Sequence, residues 1–531
     1  MRLRLAVGLL ILTAAPVLAA DTAGGPPPQP ADQVVAQPQP VAPSPGAVGY
    51  AGLPREMWDR IRAVEPAAVD LKPAPSEQPP TALSLLECLD SSFRQNAGFR
   101  QTLQQLVTAR RGLWVANQRA FYNVSSRAER EQLTSGGSPR TSISSDADLS
   151  YEVTTGGAVS AGVGTGTQDT FGDLFSHQPS LTLSYDQPLL RGAGPASSTY
   201  ERIRSARSSL ATQELSFYDA RQQLAQTIIG DYFAVLLASG EVAIAQRAVA
   251  RSKQLYDINY AKFTGEGLTE PGEVWVKQVP EIDVDQARLS WEQSNQNLIS
   301  RQQSHRDAMD NLLLDMGFVP TGTPQLTTTI SYQPQDYNEA ELVPVALANS
   351  TELGRLELSR DDSLAELRIA RSQRLPDLVA SAGVTDLGDT LNGTPVTTGW
   401  FTAVQVQVPI WDRRRTESAD RARRALEVLD QQRIRARDQV SQGLQQQIRA
   451  ALSSRARIDI GEQSVALARK SREAAQGMYD EGLSDYLRVI DAEDRLVQAE
   501  RSLLNEQVQY FLTTVRVRRA LGEDITQGLP D

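Results

Sequence analysis

The chain of 531 residues contains one cysteine, Cys88, and two histidines, His177 and His305. A lone thiol excludes an internal disulfide, and two histidines supply no histidine-based catalytic or metal centre. Cys88 reads as a small buried apolar residue, and the histidines as ordinary surface or interface residues. No glycine-rich phosphate loop is present, and no stretch reads as one large globular domain able to hold a pocket, so an enzyme is excluded on content and no cofactor is implied. Excess basic charge is also missing: 53 Lys and Arg stand against 64 Asp and Glu, a net charge of −11. Phosphate backbones require a concentrated basic surface, so nucleic acid is not an expected partner. Beyond the N-terminus the sequence offers no apolar run of the roughly 20 residues that a membrane-spanning helix needs.

At the N-terminus, Arg2 and Arg4 precede an apolar run from Leu5 to Leu12, and small residues follow at Ala14, Ala15, Ala19 and Ala20. This pattern predicts a secretory signal peptide over residues 1–20, cleaved after Ala19 or Ala20 and without a cysteine near the cut to carry a lipid. Residues 21–80 hold fourteen of the 29 prolines and read as an extended, poorly ordered segment. Within it, Met57-Trp58-Asp59-Arg60-Ile61 offers a docking patch whose apolar residues could touch a folded surface, with an incidental tryptophan in a linker as the favoured reading; no function is assigned to it.

From Leu83 onward, Ala, Leu, Gln, Arg and Glu dominate at helical spacing. Ile228, Val235, Val242, Val249, Tyr256 and Phe263 fall on strict seven-residue steps, the seam of a coiled coil. Leu444, Ala451, Ile458, Val465, Arg472 and Tyr479 repeat the seam 216 residues later, with one arginine interrupting it. The offset identifies an internal duplication. The first repeat is expected over 81–319 and the second over 338–522, joined by a linker at 320–337 and followed by a tail at 523–531. Each long helix should run about 65 residues, or about 100 Å.

Ahead of each long helix, apolar and polar residues alternate with period two. The predicted strands are Asp146–Val153 and Ser180–Pro188 in a first pair within 141–188, and Asp377–Thr385 and Thr402–Pro409 in a second pair within 377–409. The intervening GGAVSAGVGTGTQDTFGD and DLGDTLNGTPVTTG read as loops. No globular core exists for these faces to cover, and alternating ten-residue segments in an exported chain fit a transmembrane barrel. Four strands cannot close one, since an open edge in lipid leaves backbone groups unsatisfied. Three chains would supply twelve strands.

The helix starts SLLECLDSSFRQNAGFR and ELVPVALANSTELGRL, the strand ends YDQPLL and VQVPIWD, and the turn YDEGLSDYLRVIDAEDRL together resemble the TolC-like outer-membrane efflux proteins, over about Leu83 to Gly522. The resemblance implies a mainly α chain with a small β part: long antiparallel coiled-coil helices form a periplasmic tunnel, and four transmembrane strands per chain contribute to a shared 12-stranded trimeric barrel in outer-membrane lipid. It further implies a homotrimer whose tip docks a periplasmic adaptor protein and an inner-membrane transporter, as the exit duct of a tripartite efflux or type I secretion system.

On the same resemblance, Gly482 and Leu483 form the tip of the second coiled coil (near 479–485), and Gly267 and Leu268 the tip of the first (near 263–280). In the family the helix leaving the second tip often carries two aspartates three apart that face the axis and narrow the aperture. Here Asp491 matches the second, Arg488 stands in place of the first, and Asp283 occupies the matching place in the first repeat. Residues three apart share a helix face, so Arg488 is placed to pair with Asp491, within a chain or across the three-fold axis. Tyr479 and Arg488 would supply closed-state contacts, although Tyr479 also ends the heptad seam and plain packing explains it equally well. The competing reading is a periplasmic coiled-coil scaffold or adaptor that never enters the membrane.

Overall fold

The computed structural model describes residues 53–63, 82–131, 140–170, 173–264, 279–320, 322, 324–328, 333–389, 394–408, 410, 412–481 and 483–527. The expected signal peptide, most of the proline-rich stretch, the expected first tip with Gly267 and Leu268, and Gly482 lie outside these residues.

Elements run as α1 (Arg55–Ala63), β1 (Ala82–Leu83), α2 (Leu85–Gln95), α3 (Ala97–Ala116), β2 (Ala120–Glu131), β3 (Arg140–Glu152), β4 (Ala158–Thr170), β5 (Asp173–Pro188), α4 (Ser198–Thr264) and α5 (Glu281–Met316). The second half continues as β6 (Gln325–Leu326), α6 (Glu339–Asn349), α7 (Thr351–Ser372), β7 (Asp377–Asp389), β8 (Thr394–Gln407), α8 (Arg413–Asp480) and α9 (Tyr486–Ala520). The duplication is explicit in this order: a broken helix pair, strands, a long helix and a return helix occur twice among the described residues. Asn96 and Ser350 make the two breaks, each ending one helix in extended backbone while its side chain accepts an N–H of the next, from Phe99 and Leu353 respectively.

The long helices have 67 and 68 residues, about 100 Å each at 1.5 Å per residue. Every seam residue of both helices is buried or half-buried. The largest core joins Cys88 and Leu89 of α2, Ile228, Tyr232 and Phe233 of α4, Leu312 and Met316 of α5, and Val508 and Val515 of α9. Cys88 is fully buried there, as a small apolar residue should be.

Three expectations need correction. Residues 55–63 are not extended chain: Met57, Trp58 and Ile61 of α1 recur on one helical face and bury against Ala211, Leu215 and Tyr218 of α4 and Leu358 of α7. The proline-rich flanks conceal nine residues without proline that form an amphipathic helix. Next, α4 does contain a window long and apolar enough, by composition, to cross a membrane. Its apolar residues are spent on the central core, in which α4 contacts α2, α5 and α9. Finally, the sheet has six strands and not four, in the order β2-β3-β4-β5-β7-β8, with every neighbouring pair antiparallel. The glycine-rich segment expected as a loop forms β4, because the small residues Ala158, Ser160, Gly162, Gly164 and Gly166 take one face and leave Val159, Ala161, Val163 and Thr165 alternating on the other.

One face of this sheet is apolar through all six strands. Register aligns Tyr122 of β2 with Leu149 of β3, Leu149 with Ala161 of β4, Ala161 with Leu183 of β5, Leu183 with Val384 of β7, and Val384 with Trp400 of β8. The band is exposed, with Tyr122 at 78% and Trp400 at 79% of full accessibility. The opposite face carries Asp146, Asp148, Ser180, Thr182 and Ser381. The β4 glycines make room for it: a Cβ on Gly162 would lie 2.6 Å from Asp148 Oδ1, and one on Gly164 2.7 Å from Asp146 Oδ1.

Candidate functional site

The far ends of the long helices form the site. Helix α8 ends at Asp480, where the Glu481 N–H donates to Gly477 O at 3.1 Å, and the Leu483 N–H returns to Met478 O at 2.8 Å. Helix α9 then begins with Asp485 at its N-cap. Leu483 projects into solvent at 73% exposure.

Below the turn, a small core ties the two coiled coils together. Tyr479 of α8 and Tyr486 and Val489 of α9 pack on Leu255 of α4 and Ala287 of α5. The two tyrosine rings meet edge-on with centroids 5.8 Å apart. The Tyr479 hydroxyl donates to Asn259 Oδ1, and Lys262 Nζ sits 4.6 Å from the ring centre. Burial pushes the Tyr479 phenol up to about 12, with Asp283 and Asp480 adding to the shift. The half-buried Asp283 carboxyl is raised above the usual range by its burial and then by Asp485 across the tips. Asp283, Tyr479 and Asp485 therefore share one electrostatic neighbourhood, although they come from both repeats.

Two of the aperture candidates stand apart from this cluster. Arg488 is exposed on α9, and Asp491 pairs at 2.7 Å with Arg495 on the next helical turn, both largely in solvent. Within the chain, Asp491 is thus partnered by Arg495 and not by Arg488.

Sequence reasoning did not single out the strongest polar contact at this end. Glu493 of α9 accepts from Arg251 of α4 at 2.7 Å and from Arg472 of α8 at 2.9 Å, with all three side chains largely buried. One carboxylate therefore bridges both coiled coils. The arginine that interrupts the second seam was the available signal: a charge at a seam position calls for a buried counter-charge, and Glu493 supplies it.

Comparison with known proteins agrees with this architecture. Residues 342–523 match the model of the outer membrane efflux protein family. Over 339 residues, 61% of this chain and 68% of the relative, the sequence is 25% identical to the solvent efflux pump outer membrane protein SrpC of Pseudomonas putida. Among solved structures, the CmeC outer membrane channel of Campylobacter jejuni superposes with a TM-score of 0.63 at 14% identity, over 83% of this chain and 88% of that one. The outer membrane protein VceC of Vibrio cholerae gives 0.61 at 17% identity, over 83% and 96%. Residues 342–523 thus carry the match to the outer membrane efflux protein family, and the chain shares the fold of the CmeC and VceC outer membrane proteins.

Proposed function

We propose that three copies of the chain close one barrel in the outer membrane and continue below it as a helical tunnel. The tunnel serves as the passive exit duct of a tripartite efflux or type I secretion system. One observation carries this reading. The sheet exposes a continuous apolar face and leaves both its edge strands unpaired among the described residues, while helices of about 100 Å descend from it. In lipid an isolated sheet of this kind would leave a row of backbone groups unsatisfied on each edge, at several kcal/mol per group. A second copy removes that cost. The inner-membrane transporter supplies energy and selects the substrate, and the periplasmic adaptor engages the helix tips, where Leu483 offers an exposed apolar contact beside Gly482, with Gly267 and Leu268 as the counterpart.

At the tips, Asp491 and Asp283 set the charge of the aperture, while Arg488 and Tyr479 contribute to its closed state. Three Asp491 carboxylates around an axis repel one another and attract cations, an effect that Arg495 moderates. Planar-bilayer conductance of detergent-extracted protein, with its mass measured alongside, tests the proposal. Discrete, long-lived events from a trimer support it, whereas a protein that never inserts would replace it with the periplasmic scaffold. In the same assay Asp491→Ala should raise closed-state conductance and weaken block by divalent cations. An unchanged current and unchanged block would remove Asp491 from the aperture.

A further inference from the structure

We infer that each chain contributes six strands to the membrane wall, so that three copies close an 18-stranded barrel with β8 of one copy pairing with β2 of the next. This rests on the trimeric barrel proposed above and fixes its size. The strand directions permit closure: with six strands, each antiparallel to its neighbour, the outer two run in opposite senses. Edge β8 therefore meets the edge β2 of a second copy in an antiparallel pairing, and the alternation continues around the ring.

Three independent observations make β3 and β4 wall strands and not a surface loop. The first is length. The helix breaks at Asn96 and Ser350 are 254 residues apart, whereas the seams beyond the strands are 216 apart, so the first repeat holds 38 more residues in its strand region. That is the length of one additional hairpin with its turns.

The second is patterning. Residues Ser142 to Glu152 pair with Gln168 to Ala158, and β4 pairs in turn with β5 at the height where β5 pairs with β7. Throughout, Ala147, Leu149 and Tyr151 of β3 and Val159, Ala161 and Val163 of β4 share the apolar face of β5 and β7. Asp146 and Asp148 share the opposite face with Ser180 and Thr182.

The third is the β3–β4 turn, which is built into the membrane–tunnel junction. Ser197 Oγ donates to Thr154 O at 2.8 Å, the Gly194 N–H donates to Thr155 O at 2.9 Å, and Glu152 accepts from Thr199 and Arg202 of α4 at 2.9 and 2.8 Å. Gly156 adopts φ +92°, and a Cβ there would lie 2.4 Å from Gly192 O. The chain thus returns fully to the helical side before β4 begins, as a wall strand must. Barrel diameter grows roughly linearly with strand number, so 18 strands give a mouth about 1.5 times as wide as 12.

Spin labels on single cysteines of the full-length protein in liposomes test the inference, in a Cys88→Ala background. Each label is read for collision with oxygen, which partitions into lipid, and with a water-soluble nickel chelate. Labels at Asp146, Ala147, Asp148, Leu149, Ser160, Ala161 and Val163 examine the additional hairpin, and labels at Leu181, Thr182, Leu183, Val404, Gln405 and Val406 examine the remaining wall. The expected result is period-two alternation in both sets, with Ala147, Leu149, Ala161 and Val163 favouring oxygen several-fold. Alternation in the second set alone, with uniform nickel access in the first, would overturn the six-strand wall and leave the trimeric channel standing. Alternation in neither would overturn the barrel itself. If one labelled variant does not assemble, another of the same parity on its strand gives the reading.

Discussion

Glu493 shows how few side chains hold the two coiled coils together at their far end. Replacing it with alanine leaves the Arg251 and Arg472 guanidiniums facing each other without a counter-charge. Breaking a largely buried pair in this way costs about 3 kcal/mol, the low end of the range for such pairs. Hydrogen exchange should accordingly accelerate in the ends of α8 and α9 of Glu493→Ala and remain unchanged near the sheet. Asp231 of α4 behaves differently. Its carboxyl faces Asp315 of α5, and burial first, then that neighbour, pushes it up to about 7 from an ordinary value of 3.8. The folded protein therefore binds a proton that the unfolded chain releases above pH 4, so the stabilisation is complete below that pH and declines as pH rises through 7. Asp231→Asn should flatten this decline, raising Tm at pH 8 while changing little at about pH 3.5, below the ordinary carboxylate range. Thermal unfolding at the two pH values checks the difference. Neither the Glu493 clamp nor the Asp231–Asp315 pair is a local pattern: their partners are separated by 21 to 242 residues, and only the interrupting Arg472 announced one of them in the sequence.

At the scale of elements, the long helices and the duplication were legible because heptad steps are local and repeat over many turns. Four of the six sheet strands were legible for the same reason. The strand β2 escaped because Phe121 on its polar face and Ser126 on its apolar face break the alternation, and β4 because glycine reads first as loop. Yet the extra hairpin had left a trace in the spacing, since the repeat offset before the strands exceeds the offset after them. Helix α1 was hidden by its proline-rich surroundings, and its role is to cover Leu215 and Tyr218 of α4 with Met57, Trp58 and Ile61. Met57 is 1% exposed, so Met57→Ala removes a well-packed side chain and should cost about 2–5 kcal/mol of local stability. Limited proteolysis checks this: cleavage between α1 and β1 should accelerate in the variant, and an unchanged rate would mean that α1 is held by other contacts, such as Arg60 on Gly522 O.

In the trimer proposed above, sections of different width stand in series, and this sets which residues control conduction. Resistances in series add, so a wide barrel above a long tunnel contributes little while the tips are drawn together. Asp146 and Asp148 lie on the polar face of the sheet, which in the proposed trimer lines the widest section, where counter-ions screen them within about 10 Å. The Glu493 clamp and the Tyr479–Asn259 contact lie at the end where α8 turns into α9 and the two coiled coils meet. Asp146→Asn with Asp148→Asn should thus change single-channel conductance by less than about a fifth, whereas Glu493→Ala should raise it several-fold by loosening the tips. Recording both variants under identical salt tests the assignment. A large effect from the barrel substitutions, with none from Glu493→Ala, would move the controlling constriction from the tips to the membrane.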